Sequence, residues 1–150
     1  MQVNALPVEA QAKLNATHEV VITHEDLTAA ATTQTLTVNI PAGSWVKSGC
    51  HILAEQFVSP ASTSLTYQSG DDSDPDLFMT LTQIDAAHAS TIDYKAPTPG
   101  SGAAAVGTGK IYTAADTVDI AFTSTDDNLS DFTAGKLRLF LSIIDLDTVS

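Results

Sequence analysis

Four histidines, one cysteine and eighteen carboxylates are the groups through which this 150-residue chain could do chemistry. His18, His24, His51 and His88 are scattered. His18 and His24 are an even offset apart on one expected strand, so they share a face. Six residues at a strand rise of about 3.3 Å hold them roughly 20 Å apart. Zinc needs ligands that converge on one point, so all four histidines read as structural or surface groups. Cys50 stands beside His51, the pairing that could make a nucleophile. On a strand, neighbouring side chains point to opposite faces, so Cys50 reads as a buried, small apolar residue instead.

The densest acidic group is Gly70-Asp71-Asp72-Ser73-Asp74-Pro75-Asp76. Clustered carboxylates suit a hard cation such as calcium. Asp72-Ser73-Asp74-Pro75-Asp76 has the alternating acids of a calcium loop. Leu77 then stands where the sharp-turn glycine belongs, and no glutamate closes the loop. Two readings stay open: a solvated turn whose aspartates bond their own backbone, or a weak divalent site at Asp71, Asp72, Asp74 and Asp76. Otherwise no cofactor is expected.

Other catalytic patterns are missing. Gly107-Thr108-Gly109-Lys110 lacks the spacing and the following Ser/Thr of a phosphate loop. There is no Gly-x-Ser-x-Gly elbow. A carboxylate pair for glycoside hydrolysis needs a sugar cleft, and the chain has one tryptophan and three tyrosines to build its platforms. The sequence reads as that of a non-enzyme.

The elements that would carry these groups are strands. Thr33 to Ile40 alternates, with Gln34, Leu36, Val38 and Ile40 on one face and threonines and Asn39 on the other, as in a half-buried antiparallel strand. His18–His24, Trp45–Val58, Thr63–Gln68, Leu77–Thr82, Lys110–Tyr112, Asp116–Phe122 and Lys136–Leu146 read as further strands, and Thr91–Tyr94 as a short one. Leu77, Met79 and Leu81 are expected on one face, and so are Val118, Ile120 and Phe122. Pro97 to Gly107 is the most loop-like stretch. Strands separated by Gly, Pro and Asp clusters argue an all-β fold, a single-domain antiparallel β-sandwich of jelly-roll type. Residues 18–150 make the sandwich. Residues 1–17 read as an N-terminal arm, its one helical turn too short to stand alone in water.

Composition sets the outer limits. Six basic residues against eighteen acidic ones give a net charge of −12. Nucleic-acid binding rests on clustered Lys and Arg, so neither nucleic acid nor an anionic membrane is an expected partner. No apolar run approaches the roughly 20 residues of a membrane span. The start, Met1-Gln2-Val3-Asn4-Ala5, lacks the basic-then-apolar layout of an export signal. A single cysteine allows no internal disulfide and fits assembly in a reducing cytoplasm. Twenty threonines favour pleated sheet.

The order Val38-Asn39-Ile40-Pro41-Ala42-Gly43-Ser44-Trp45-Val46, then Leu65-Thr66-Tyr67-Gln68-Ser69-Gly70-Asp71-Asp72-Ser73-Asp74-Pro75-Asp76, continues with Gly107 to Ile120 and Thr133-Ala134-Gly135-Lys136-Leu137-Arg138-Leu139. Over residues 33–146 it resembles the small virion proteins of tailed bacteriophages that decorate, or cement, the icosahedral head. The resemblance implies a jelly-roll-like sandwich, homotrimers at threefold positions of the shell, and no enzymatic activity. It implies the major capsid protein as partner. It also implies a place on the outer surface of the virion after synthesis in the host bacterial cytoplasm. The charge agrees, because packed DNA inside a shell would repel it. The expected shell contacts are Val3, Leu6, Val8 and Leu14 in the arm, and Leu129 and Phe132 as exposed loop residues. The competing reading is a glycan-binding jelly-roll module of a phage fibre or other head or tail attachment protein, with calcium at the acidic turn.

Overall fold

In the computed structural model, residues 1–85 and 109–148 are described in full and residues 93–95 in their backbone. His88, Thr91, Ile92 and the expected loop Pro97–Gly107 lie outside the described residues. Among the described residues, ten strands form two antiparallel sheets. They are β1 (Gln2–Ala5), β2 (His18–Thr23), β3 (Thr33–Ile40), β4 (Ser44–Val58), β5 (Ser64–Asp71), β6 (Asp74–Gln83), β7 (Asp93–Lys95), β8 (Lys110–Tyr112), β9 (Asp116–Thr125) and β10 (Ala134–Asp145). One short helix, α1 (Val8–Leu14), follows β1. No helix among the described residues is long and apolar enough to cross a membrane.

One sheet runs β1-β2-β10-β4, with β7 and β8 pairing successive stretches of β4. The other runs β3-β9-β5-β6. Setting β1 aside, the strand orders β2-β10-β4 with β7 and β8, and β3-β9-β5-β6, are those of the two sheets of a jelly roll; consecutive strands change sheet except within the pairs β5–β6 and β7–β8. The all-β sandwich expected from the sequence is the fold.

The threonine-rich strand β3 has the expected faces: Val38 and Ile40 are buried, Gln34 and Leu36 half-buried, and Thr33, Thr35, Thr37 and Asn39 exposed. Val118, Ile120 and Phe122 point into the same core. They meet Val20, Ile22, Leu137, Leu139 and Leu141 from the other sheet. Two side-chain bonds fix how the sheets align. His51 Nδ1 on β4 lies 2.8 Å from the Tyr67 hydroxyl on β5. The Tyr112 hydroxyl on β8 donates to Asp71 Oδ2 at the end of β5, 2.9 Å away. With β4 over β5 and β8 over the β5–β6 hairpin, β2 falls over β3 and β1 projects beyond it.

Two stretches depart from simple alternation. The pairing of β5 with β6 shifts between Tyr67/Thr82 and Ser69/Met79, where β6 carries one extra residue. This bulge turns Phe78 and Met79 into buried positions and leaves Leu81 58% exposed, so Leu77, Met79 and Leu81 do not share a buried face. On β4, Leu139↔His51 is followed by Leu141↔Ser48, again one residue too many. The bulge at Gly49-Cys50 leaves Cys50 half-exposed, not buried, while His51 and Leu53 turn inward. At Gly135, φ is +135° and an added Cβ would stand 2.4 Å from the Phe57 ring, so glycine is required where β10 crosses that side chain.

Candidate interaction surface

The sandwich has two unlike outer faces. On the four-stranded sheet the outward side chains are Thr33, Thr35, Thr37 and Asn39 of β3, Asp119, Ala121 and Thr123 of β9, and Thr66 and Gln68 of β5. Apart from Leu81 on β6, that face is polar, and its strands carry Asp71, Asp74, Asp76, Asp116 and Asp119 with no basic residue. The six-stranded sheet is different. Lys47, Lys95, Lys110, Lys136 and Arg138 all lie on its strands, and the remaining basic residue, Lys13, lies on α1. Its outward side chains include Val21, Trp45, Ile52 and Ile144, all half-buried, and Ile111, which is 59% exposed and pairs with Trp45 across β4 and β8. Two cations lie over aromatic rings on this face. Lys47 Nζ is 4.0 Å from the centre of the Trp45 ring, and the Arg138 guanidinium is 5.3 Å from that of Phe140. Arg138 also pairs through Nε with Glu19. This roof buries Phe140 outside the main core.

The expected arm contacts fall at one end of this sheet. β1 pairs β2 in register Gln2↔Val21 to Ala5↔His18. Val3 is 44% and Val8 79% exposed; Leu6 and Leu14 are half-buried. The Leu6 amide donates to the Thr17 carbonyl at 2.8 Å, and Gln11 Nε2 donates to the Leu6 carbonyl at 2.7 Å. Between α1 and β10 runs an open groove of about 390 Å³, lined by Val8, Gln11, Ala12, Thr17, Ser142 and Ile144.

Leu129 and Phe132 are not surface contacts. Leu129 is 0% and Phe132 4% exposed. The 3₁₀ turn Leu129–Asp131 is tied down where the Leu129 and Ser130 amides donate to the carbonyls of Ala31 and Ala29. Phe132 then packs edge-on to Phe57, with ring centres 6.4 Å apart. A turn rich in Asp, Asn and Ser is expected at the surface, but its two large apolar side chains close the end of the core.

The acidic turn proves to be a tight hairpin with one inward carboxylate. Asp71 is 1% exposed. Its Oδ1 accepts from the Ser73 amide (2.9 Å), the Ser73 hydroxyl (2.6 Å) and the Asp74 amide (3.1 Å). Its Oδ2 accepts from Lys110 Nζ (2.5 Å) and the Tyr112 hydroxyl (2.9 Å). Burial alone would raise this carboxyl; the bonds from Lys110, Ser73 and Tyr112 outweigh it and bring the pKa to about 2. Tyr112 is pushed up by burial and then by the Asp71 charge. Asp72 is exposed, and Asp74 and Asp76 are half-buried. Burial first, and then Asp76, raise the Asp74 carboxyl. Asp71 thus serves as a latch between β5–β6 and β8. No three His, Cys, Asp or Glu side chains among the described residues converge as metal ligands.

Of the described histidines, His18 Nδ1 meets the Thr17 hydroxyl at 2.8 Å. His51 is fully buried between Ser48 and Tyr67. The Ser48 hydroxyl donates to the Gly49 carbonyl at 3.2 Å and so accepts from His51 Nε2, 2.9 Å away. Nδ1 then accepts the Tyr67 proton. Burial lowers the His51 pKa to about 3. Sequence reasoning missed Lys110 and Tyr112 as partners of Asp71, and Ile111 as the neighbour of Trp45. Both depend on β8 docking beside β4, a long-range pairing that no local pattern announces.

No family model matches the chain, and no curated protein matches it in sequence. Its fold is similar to that of a chain solved in the cyanophage Pam1 capsid asymmetric unit, with a TM-score of 0.52 and 16% sequence identity. The likeness covers 83% of this chain and 80% of that one.

Proposed function

We propose that this chain is a structural protein of a tailed-phage virion. It decorates the outside of the head, three copies meeting at threefold positions of the shell, and it transforms no molecule. The observation that carries the reading is the jelly roll shared with a chain of a phage capsid asymmetric unit. Two physical features support it. A net charge of −12 suits the outside of a DNA-filled shell. No basic residue lies on a strand of the four-stranded sheet, whereas the six-stranded sheet places Lys47 beside Trp45 and Ile111, a face on which apolar and cationic groups can meet a protein partner.

The contacts are Val3 and Val8 of the N-terminal segment and the sheet face around Trp45, Lys47, Ile111 and Ile144. Such a protein works by binding the expanded shell better than the unexpanded one, which shifts the equilibrium toward the intact shell. Many copies on one lattice make modest affinity per copy sufficient. The test is co-sedimentation with purified heads. Retention on expanded heads, reduced at least tenfold by Ile111→Asp and by Val8→Asp, is expected. Equal recovery in the supernatant with and without heads would overturn the reading.

A further inference from the structure

Among the described strands, β3 is an edge without protection. Proteins usually blunt sheet edges with charge, proline, bulges or short length. β6 enters through Asp74-Pro75-Asp76 and carries two register shifts. β1 has four residues, and β7 and β8 have three each, with Lys95 or Lys110. β3 has eight residues, Thr-Gln-Thr-Leu-Thr-Val-Asn-Ile, with neither charge nor proline. Its register with β9 is unbroken from Thr33↔Thr123 to Ile40↔Asp116.

The direction of its free backbone groups follows from one bond. The Ser124 amide donates to the Thr32 carbonyl at 2.8 Å, so Thr32 and Ser124 form a hydrogen-bonded pair. In an antiparallel ladder such pairs alternate. Gln34, Leu36, Val38 and Ile40 therefore bond to β9. Thr33, Thr35, Thr37 and Asn39 send their N–H and C=O groups off the edge, where no described residue takes them up. Above this edge β1 projects past β2. Val3 stands opposite Val20, on the core-facing side, yet is 44% exposed. The four-stranded sheet is one strand short beneath it.

We propose that this vacant position receives an extended segment of the shell protein as a fifth strand of the β3-β9-β5-β6 sheet. The proposal rests on the decoration reading above. A second whole copy of this chain does not fit at this edge, because its own β2, lying over its β3, would have to occupy the place that β1 fills. A single strand does fit. The matching segment is uncharged and spans about seven residues to cover Thr33–Asn39. Its apolar side chains face Val3 and Leu36, and small polar ones flank the threonine row. Main-chain bonds hold it and alternate side chains select it.

Residue-resolved hydrogen exchange on the full chain, free and bound to purified expanded heads, tests this. The amides of Thr33, Thr35, Thr37 and Asn39 are expected to exchange fast in the free protein and at least tenfold more slowly when bound. Those of Gln34, Leu36 and Val38, already bonded to β9, should change little. Thr37→Lys and Thr35→Pro leave the β9 ladder bonds in place and should weaken retention on heads at least tenfold; where the proline variant fails to fold, Thr37→Lys and the amide pattern carry the test. Retention on heads with unaltered exchange of the four amides would overturn the proposal and leave the decoration reading standing. Protection of these amides in the free protein, or protection that grows with its concentration alone, would also overturn it. Failure to bind heads at all would remove both.

Discussion

Asp71 and His51 show how single buried groups tie the sandwich together, and each leaves a signature in pH. The Asp71 pKa of about 2 lies below its ordinary value of 3.8. The folded state therefore binds this proton less readily than the unfolded chain. Its stabilisation is complete above about pH 4 and is lost as pH falls toward 2. His51, lowered from 6.5 to about 3 by burial, acts earlier. Below about pH 6.5 the unfolded chain takes up a proton that the fold refuses, so stability falls between about 6.5 and 3, by at most about 1.4 kcal/mol per pH unit. Urea unfolding across pH should show both limbs. His51→Phe is expected to flatten the upper one and Asp71→Asn the lower. At neutral pH, Asp71→Asn should also cost about 1–3 kcal/mol, from bonds made to a buried charge. An unaltered urea midpoint in Asp71→Asn would contradict the latch. Calcium should not raise Tm, because Asp71 is already held by Lys110 and Tyr112; a clear rise would show that the hairpin carboxylates regroup around the ion.

At the scale of elements, what was legible in the chain is what short-range alternation encodes. Gln34 to Ile40 and Val118 to Phe122 keep the period of two, and both lie as that period requires. Alternation misleads wherever a bulge inserts a residue. Leu81 leaves the core and His51 enters it because β6 and β4 each slip by one against a neighbour, and only the paired strand reveals the slip. The burial of Leu129 and Phe132 is hidden from local sequence for a related reason: it depends on loop 29–31 receiving the turn, some 100 residues away in sequence. The candidate surface was legible only in part. Val3 and Val8 lie in the expected arm and are exposed, but Trp45, Lys47 and Ile111 become one patch only through the β4–β8 pairing. The β10 crossing gives a test of this level. Gly135→Ala forces a Cβ into Phe57 at positive φ and should cost about 1–3 kcal/mol or more in urea unfolding. A cost near zero would mean that β10 shifts freely against β4.

The whole molecule is a jelly roll whose four-stranded sheet is threonine-rich and acidic with no basic residue on its strands, and whose six-stranded sheet carries Trp45, Lys47 and Ile111 together on its outer face. Such polarity is physically useful to a protein that must lie flat on another surface while its outer side stays hydrated. Net charge also predicts a salt dependence. If the acidic side faces away from the shell, raising ionic strength should relieve repulsion between neighbouring copies and increase the number bound per head. A fall in occupancy with salt would place the acidic side in the contact instead. Electron cryo-microscopy of expanded heads incubated with an excess of the purified chain addresses the central claim most directly. The account predicts sandwich-sized density outside the shell at its threefold positions, with the six-stranded sheet turned inward. A bare lattice, or density confined to the tail or to the interior, would contradict it.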